Sequence, residues 1–160
     1  MAILASHYHA VFVGQNVLYD GAWPYESLEC VPPEQRIEMP VSEELQLGFC
    51  IGLSLQGYLS VSVYPRMDFL MRAMDQLVNH LDKLAHMSLG QFSPKVIIRT
   101  RVGGRTPLYA GPQHTQDHTD ALRGMLTNVH VERVTDTGKL PHAYLDAVYR
   151  HTSSIIVESL

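Results

Sequence analysis

A chain of 160 residues, 46% of them hydrophobic, has the length and apolar content of one globular domain with a real core. Its formal charge of −4 argues against a nucleic-acid or anionic-membrane surface as the main partner. The two cysteines, Cys30 and Cys50, match no zinc or redox spacing, and Cys50 lies inside an apolar run, so both are expected as reduced, buried thiols. The N-terminus, M-A-I-L-A-S-H-Y-H-A-V-F-V-G, shows no basic leader and no stretch long enough to span a bilayer, and reads as mature and cytoplasmic.

In chain order, His9 to Val13 is a short apolar strand closed by Gly14. Residues 15–40 are loop-like, with Asp20-Gly21, Trp23-Pro24 and Pro32-Pro33 as turn signals. The central helix follows, E-E-L-Q-L-G-F-C-I-G-L-S-L-Q-G from Glu43 to Gly57. Ser42 is its expected N-cap, Glu43 and Glu44 suit the positive end of the helix dipole, and Gly57 is a ready stop. So apolar a helix needs neighbours on several sides, and Gly48 and Gly52, one turn apart, leave a groove for close approach. Leu59 to Tyr64 is a strand broken by Pro65. Asp68 then caps a second helix running to about His86, with Phe69, Ala73, Leu77, Leu81 and Ala85 on one face.

Lys95 to Thr100 is the third strand, and Arg101 to Asp117 is a long, glycine-rich loop holding Pro107 and Pro112. Asp120 opens a short helix through Leu126. Val129 to Val134 is a strand, Lys139 to Arg150 the last helix and Ile155 to Glu158 the last strand. Five short apolar strands separated by helices predict an α/β fold, a parallel sheet with helices on both faces, making three layers. Such sheets bind ligands beyond the carboxyl ends of their strands. Loop 101–117 lies there and exceeds the usual connection length, which marks it as functional.

Glu43, Gly48, Phe49, Gly52 and Leu53 form E-x-x-x-x-G-F-x-x-G-L, which resembles the pyrimidine-domain signature of thiamine diphosphate enzymes. The flanks V-F-V-G-Q-N-V-L-Y-D-G, R-I-E-M-P-V-S-E, M-D-F-L-M-R-A-M-D-Q-L-V-N-H, H-M-S-L-G-Q, V-I-I-R and Q-H-T-Q stand in one order. That order resembles the β-subunit of pyruvate and branched-chain 2-oxoacid dehydrogenases, over residues 9–160.

The resemblance implies a role for each candidate. Glu43 would hydrogen-bond a ring nitrogen of the cofactor's aminopyrimidine and stabilise its imino tautomer, which takes a proton from the thiazolium carbon. Acid–base roles of this kind contribute on the order of 10² to 10⁴ in rate. Phe69 would lie against the pyrimidine, although its spacing alone makes it the start of an apolar stripe. Tyr64 would line the same pocket. His114, by spacing alone a loop histidine, would hydrogen-bond a substrate carboxylate or developing oxyanion. His114 and His118 have a zinc-like spacing, but no third ligand accompanies them. Arg99, Arg101 and Arg105 are candidates for steering an anionic substrate or meeting another chain.

The departures also carry expectations. Residues 1–160 read as a single pyrimidine-binding, transketolase-like domain, without the family's first helix, its C-terminal domain or the G-D-G…N element that holds diphosphate through a divalent metal. Mg²⁺ is therefore expected on a diphosphate-binding, α-type partner, in an α2β2 assembly or around a homodimer core. With that partner the chain would decarboxylate a 2-oxo acid and transfer the acyl or aldehyde unit. The alternatives are a non-catalytic assembly or regulatory module that keeps the fold, and transketolase-like ketol transfer.

Overall fold

The computed structural model describes residues 1–104 and 109–159, which build on a six-stranded, all-parallel sheet. In chain order the elements are α1 (Ala2–Tyr8), β1 (Val11–Gly14), α2 (Trp23–Glu26), β2 (Arg36–Glu38), α3 (Glu43–Leu55), β3 (Ser60–Val63), α4 (Met67–Leu70), α5 (Leu84–Met87), β4 (Val96–Arg101), α6 (Thr119–Met125), β5 (His130–Val134), α7 (Leu140–Tyr149) and β6 (Ser154–Glu158). The strands lie in the order β2-β1-β3-β4-β6-β5. Among the described residues, no helix is long and apolar enough to cross a membrane.

Successive side chains of a strand point to opposite faces, so both faces of this sheet carry a core. Val13, Ile98, Ile155 and Val157 pack with Leu47 and Cys50 of α3, with Leu70, Leu77 and Leu81, and with Leu122 of α6. Their neighbours Phe12, Ile97 and Ile156 pack on the other side with Leu4, Leu28 and the Ala143, Tyr144 and Ala147 face of α7. In β3 the alternation is Ser-Val-Ser-Val. The valines face α7's layer, whereas both serines meet α3: Ser60 Oγ donates to the Cys50 carbonyl, and Ser62 Oγ accepts from Gln46 Nε2 at 3.0 Å.

Several expectations change. The segment expected to be loop over 15–40 supplies α2 and the edge strand β2, whose Arg36 and Ile37 sit opposite Phe12 and Val13. Three residues flanked by Pro33 and Pro40 give too little periodicity to read. A short helix, α1, also precedes β1. The second helix is not continuous: α4 passes into a 3₁₀ turn (Met71–Ala73), then a wide π turn (Gln76–Leu81), then α5. Its buried residues Leu70, Ala73, Leu77 and Leu81 are spaced three, four and four apart. That is the spacing a regular helix gives, so these residues share one face across the changes of turn type.

Asp68 lies inside the first turn rather than capping it. Ser42 precedes α3 without a side-chain cap bond, whereas Gly57 does end the helix, at φ +89°. Both cysteines are free thiols, but only Cys50 is buried, with its pKa pushed by burial to about 12; Cys30 is exposed in the loop after α2. The helix α3 itself is buried on one side only. Leu45 and Phe49 are 55% and 40% exposed, Gly52 is open, and Gly48 faces the Gln76 side chain.

Candidate functional site

The carboxyl ends of the central strands deliver the candidate residues to one rim. Gln15 follows β1, Glu43 opens α3 after β2, Tyr64 follows β3, and His114 lies beyond β4. Glu43 is 2% exposed. Its Oε1 accepts a long hydrogen bond from Gln15 Nε2 at 3.3 Å, and Arg72 Nε lies 2.9 Å from Oε2. That N–H is not aligned on the oxygen, so Oε2 is buried without a hydrogen bond. A guanidinium thus rests on Glu43 from the solvent side, its own side chain 68% exposed.

Tyr64 is wholly buried, and burial raises its phenol pKa. Its hydroxyl donates to the Glu43 carbonyl at 3.2 Å, fixing the start of α3 rather than facing open space. One turn into the helix, Gln46 is also fully buried; its Nε2 donates to Ser62 Oγ and the Val63 carbonyl, and its Oε1 has no hydrogen bond.

Phe69 and His114 meet edge to face, with ring centroids 5.5 Å apart and planes at 71°. Phe69 is half-buried and off the core stripe, which Met67 and Leu70 begin instead. His114 ends a short turn, Pro112–His114, and its Nδ1 is buried without a partner. Three contacts hold that loop on the α4 region. Gln116 donates to Asp68 Oδ1, His118 N–H approaches Met67 Sδ at 3.2 Å, and Arg66 Nη1 donates to the His114 carbonyl at 3.0 Å. Gly103 makes this approach possible, because a Cβ there would collide with the His114 carbonyl and the Arg66 guanidinium.

The structure therefore gathers Glu43 and Tyr64 at one point and Phe69 and His114 at another. Arg72, which meets Glu43, stands one helical turn after Phe69. Gln15, Gln46, Arg66 and Arg72 were not singled out from the sequence. Gln15 was findable as the first residue beyond a strand; the others needed the broken helix and the loop contacts. Arg99, read as a steering residue, is instead 5% exposed and committed to Glu158. Arg101 lies with its Cζ 4.8 Å from the Trp23 ring centroid, and Arg105 is outside the described residues. No group of three His, Cys, Asp or Glu side chains fit to hold a metal occurs among the described residues, so His114 and His118 gain no third ligand.

The six-stranded parallel sheet with helices on both faces is an α/β fold. The fold is that of a split-gene transketolase, solved as an inactive β4 tetramer: TM-score 0.77 over 99% of this chain and 48% of that one, at 18% identity. In sequence the chain is similar to the pyruvate dehydrogenase E1 component subunit beta-2, mitochondrial, of Oryza sativa subsp. japonica, 30% identical over 100 residues, 61% of this chain and 26% of the relative. It is also similar to the E1 component subunit beta of Rickettsia bellii, 31% identical over 112 residues, 68% of this chain and 34% of the relative. The resemblance carried by the motifs is borne out. The chain spans about a quarter to a third of the length of these relatives. No family model matches it.

Proposed function

We propose that this chain is the pyrimidine-binding half of a split thiamine diphosphate-dependent enzyme, a β-type subunit that decarboxylates a 2-oxo acid and passes on the acyl or aldehyde unit. The observation that carries the reading is the Glu43 carboxyl. It is buried at the carboxyl rim of a parallel sheet, with one oxygen lacking a hydrogen bond and an aromatic–histidine pair nearby. A buried acceptor without a donor costs on the order of 1–3 kcal/mol, and a ligand N–H is the group that would remove that cost.

The residues present fit the aminopyrimidine end of the cofactor. When bound, thiamine diphosphate supplies a thiazolium that stabilises the charge left as carbon dioxide departs. Glu43 would hold or share a proton with the pyrimidine through Oε2, after the exposed Arg72 side chain swings aside. Gln15 keeps the carboxyl oriented through Oε1, and the Tyr64 hydroxyl fixes the backbone that carries it. Phe69 offers a ring edge or face to the pyrimidine, and His114 Nδ1 is a free hydrogen-bonding position for the substrate's carboxylate or its developing oxyanion. Residues 1–160 form one domain in this reading. The diphosphate and its Mg²⁺ would be held by an α-type partner carrying a G-D-G…N element, in a cytoplasmic α2β2 assembly. The exposed Leu45, Phe49 and Gly52 face of α3 is the surface such a partner would cover.

Co-purification of the chain with such a partner, assayed for thiamine- and Mg²⁺-dependent carbon dioxide release, tests the proposal. Glu43→Gln should lower kcat by about 10² to 10⁴ while leaving the assembly intact. Tight association without cofactor uptake would instead support a non-catalytic assembly module. The Arg72 contact on Glu43 favours that second reading, since it gives the acid a partner within the chain itself. Ketol transfer from a sugar donor, with no carbon dioxide released, would move the chain to transketolase-like chemistry.

A further inference from the structure

Two guanidiniums at this rim have no carboxylate within ion-pair distance among the described residues. Arg66, between β3 and α4, donates from Nη1 to the His114 carbonyl, and Arg101 ends β4. Gly103, two residues beyond Arg101, packs against the Arg66–His114 hydrogen bond, so all three belong to one neighbourhood. Neither arginine lies within 4 Å of a carboxylate oxygen among the described residues.

The contrast with Arg99 is direct, because Arg99 and Arg101 share the Trp23 ring, at 4.6 and 4.8 Å. Arg99 is neutralised by Glu158; Arg101 is not, and its Nε is shielded from solvent with no hydrogen bond. Burial, then Arg66, pulls Arg101 below the usual guanidinium range, while Glu158 and Glu26 push the other way. Two adjacent cations, one of them with a buried donor that has no acceptor, are an unfavourable arrangement until an anion joins them. Stacking on Trp23 also fixes the plane of one fork in advance, which suits bidentate recognition of an oxyanion.

We infer that Arg66 and Arg101 bind a second oxyanion group of the substrate, so that the chain takes 2-oxo acids carrying a further carboxylate, sulfonate or phosphonate. This rests on His114 facing the substrate. The 2-oxo acid end belongs at His114, and the guanidiniums beside it hold the distal acid. A monoanion such as pyruvate would leave the pair without a counter-charge.

Trp23 is the only tryptophan in the chain and lies on Arg101, so its fluorescence reports the pair. Titration of the full chain with 2-oxoglutarate at low salt should give a saturable fluorescence change. Pyruvate should bind at least tenfold more weakly, and Arg101→Gln and Arg66→Gln should each weaken 2-oxoglutarate at least tenfold. Arg66→Gln can unseat the His114 loop, so Arg101→Gln, with an unchanged melting curve, is the deciding variant. Arg101→Lys, which keeps charge without the planar fork, should retain part of the affinity.

Absence of saturable binding, pyruvate binding as tightly as 2-oxoglutarate, or indifference to Arg101→Gln would overturn the inference. Inorganic sulfate binding as tightly as 2-oxoglutarate would overturn it as well, by assigning the pair to free oxyanions. If the assembled protein showed no thiamine-dependent turnover while Arg101-dependent binding persisted, the enzyme reading would fail and the anion site would stand.

Discussion

Two buried glutamates end up in opposite situations. Glu158, at the end of β6, receives Arg99 Nε at 2.9 Å and the Tyr144 hydroxyl at 2.7 Å on Oε1, and Arg99 Nη2 at 3.2 Å on Oε2. Ser27 Oγ and the Trp23 ring take up the rest of the same guanidinium. Glu43, equally shielded from water, has one long hydrogen bond and one misaligned charge contact. A carboxylate whose oxygens are all answered within the chain is part of the architecture. One whose oxygen is left without a donor is available to something that is not yet there.

That contrast predicts the largest stability effect at the closed network. Arg99→Leu or Glu158→Leu each strands a buried charge and should cost about 3–5 kcal/mol in urea unfolding, as half-broken buried pairs do. The double variant should lose less than the sum of the two, because no uncompensated charge remains. Additive losses would mean that the two side chains act independently, and the network would not deserve its name.

Asp82 gives an intermediate case. Its Oδ1 accepts the backbone N–H groups of Thr127, Asn128 and Val129 at 3.0, 2.6 and 3.0 Å, and Lys83 Nζ lies 2.6 Å from Oδ2. The residue is 1% exposed and ties the wide turn to the start of β5. Burial alone would raise its pKa, but Lys83 and the N–H groups of Asn128 and Thr127 outweigh it and hold the carboxyl below the ordinary value. Its stabilising contribution is therefore complete above the unfolded carboxyl range, near pH 4, and is lost as pH falls through the depressed folded value. Asp82→Asn should cost about 1.5–3 kcal/mol at neutral pH and remove part of the acid-side decline in stability. A variant with the same acid limb as the parent would show that other carboxyls set it.

Much of this was legible in the sequence. Short runs such as V-F-V and V-I-I-R, buried on both faces, announce parallel strands, whereas Glu43 stands out only through the motif resemblance, since its spacing alone reads as a solvated acid in a first helical turn. Less legible were features set by tertiary contacts. β2 is held in the sheet by its pairing with β1 rather than by its own pattern. The helix after β3 changes turn type along its length, which its apolar spacing does not announce, and the contacts of Phe69 with His114 and of Arg72 with Glu43 join residues far apart in the sequence. Arg99 and Arg101 look alike along the chain, yet the Glu158 carboxylate of β6, opposite Arg101 in register, closes its ion pair on Arg99.

The smallest effect is the sharpest test of the comparison. Glu43→Gln in the isolated chain should change stability by less than about 1 kcal/mol, although its burial matches that of Glu158. The hydrogen bond from Gln15 is long, Oε2 has none to lose, and the Arg72 contact joins a side chain that is mostly in water, where such pairs are worth about 0–1 kcal/mol. A glutamine also keeps the shape and removes a buried charge, which offsets what is lost. The same substitution at Glu158 should destabilise, since a neutral amide there faces the buried Arg99 charge alone. If unfolding showed Glu43→Gln as costly as Glu158→Gln, Glu43 would be another brace of the fold, and the unanswered oxygen would not mark a place for a ligand.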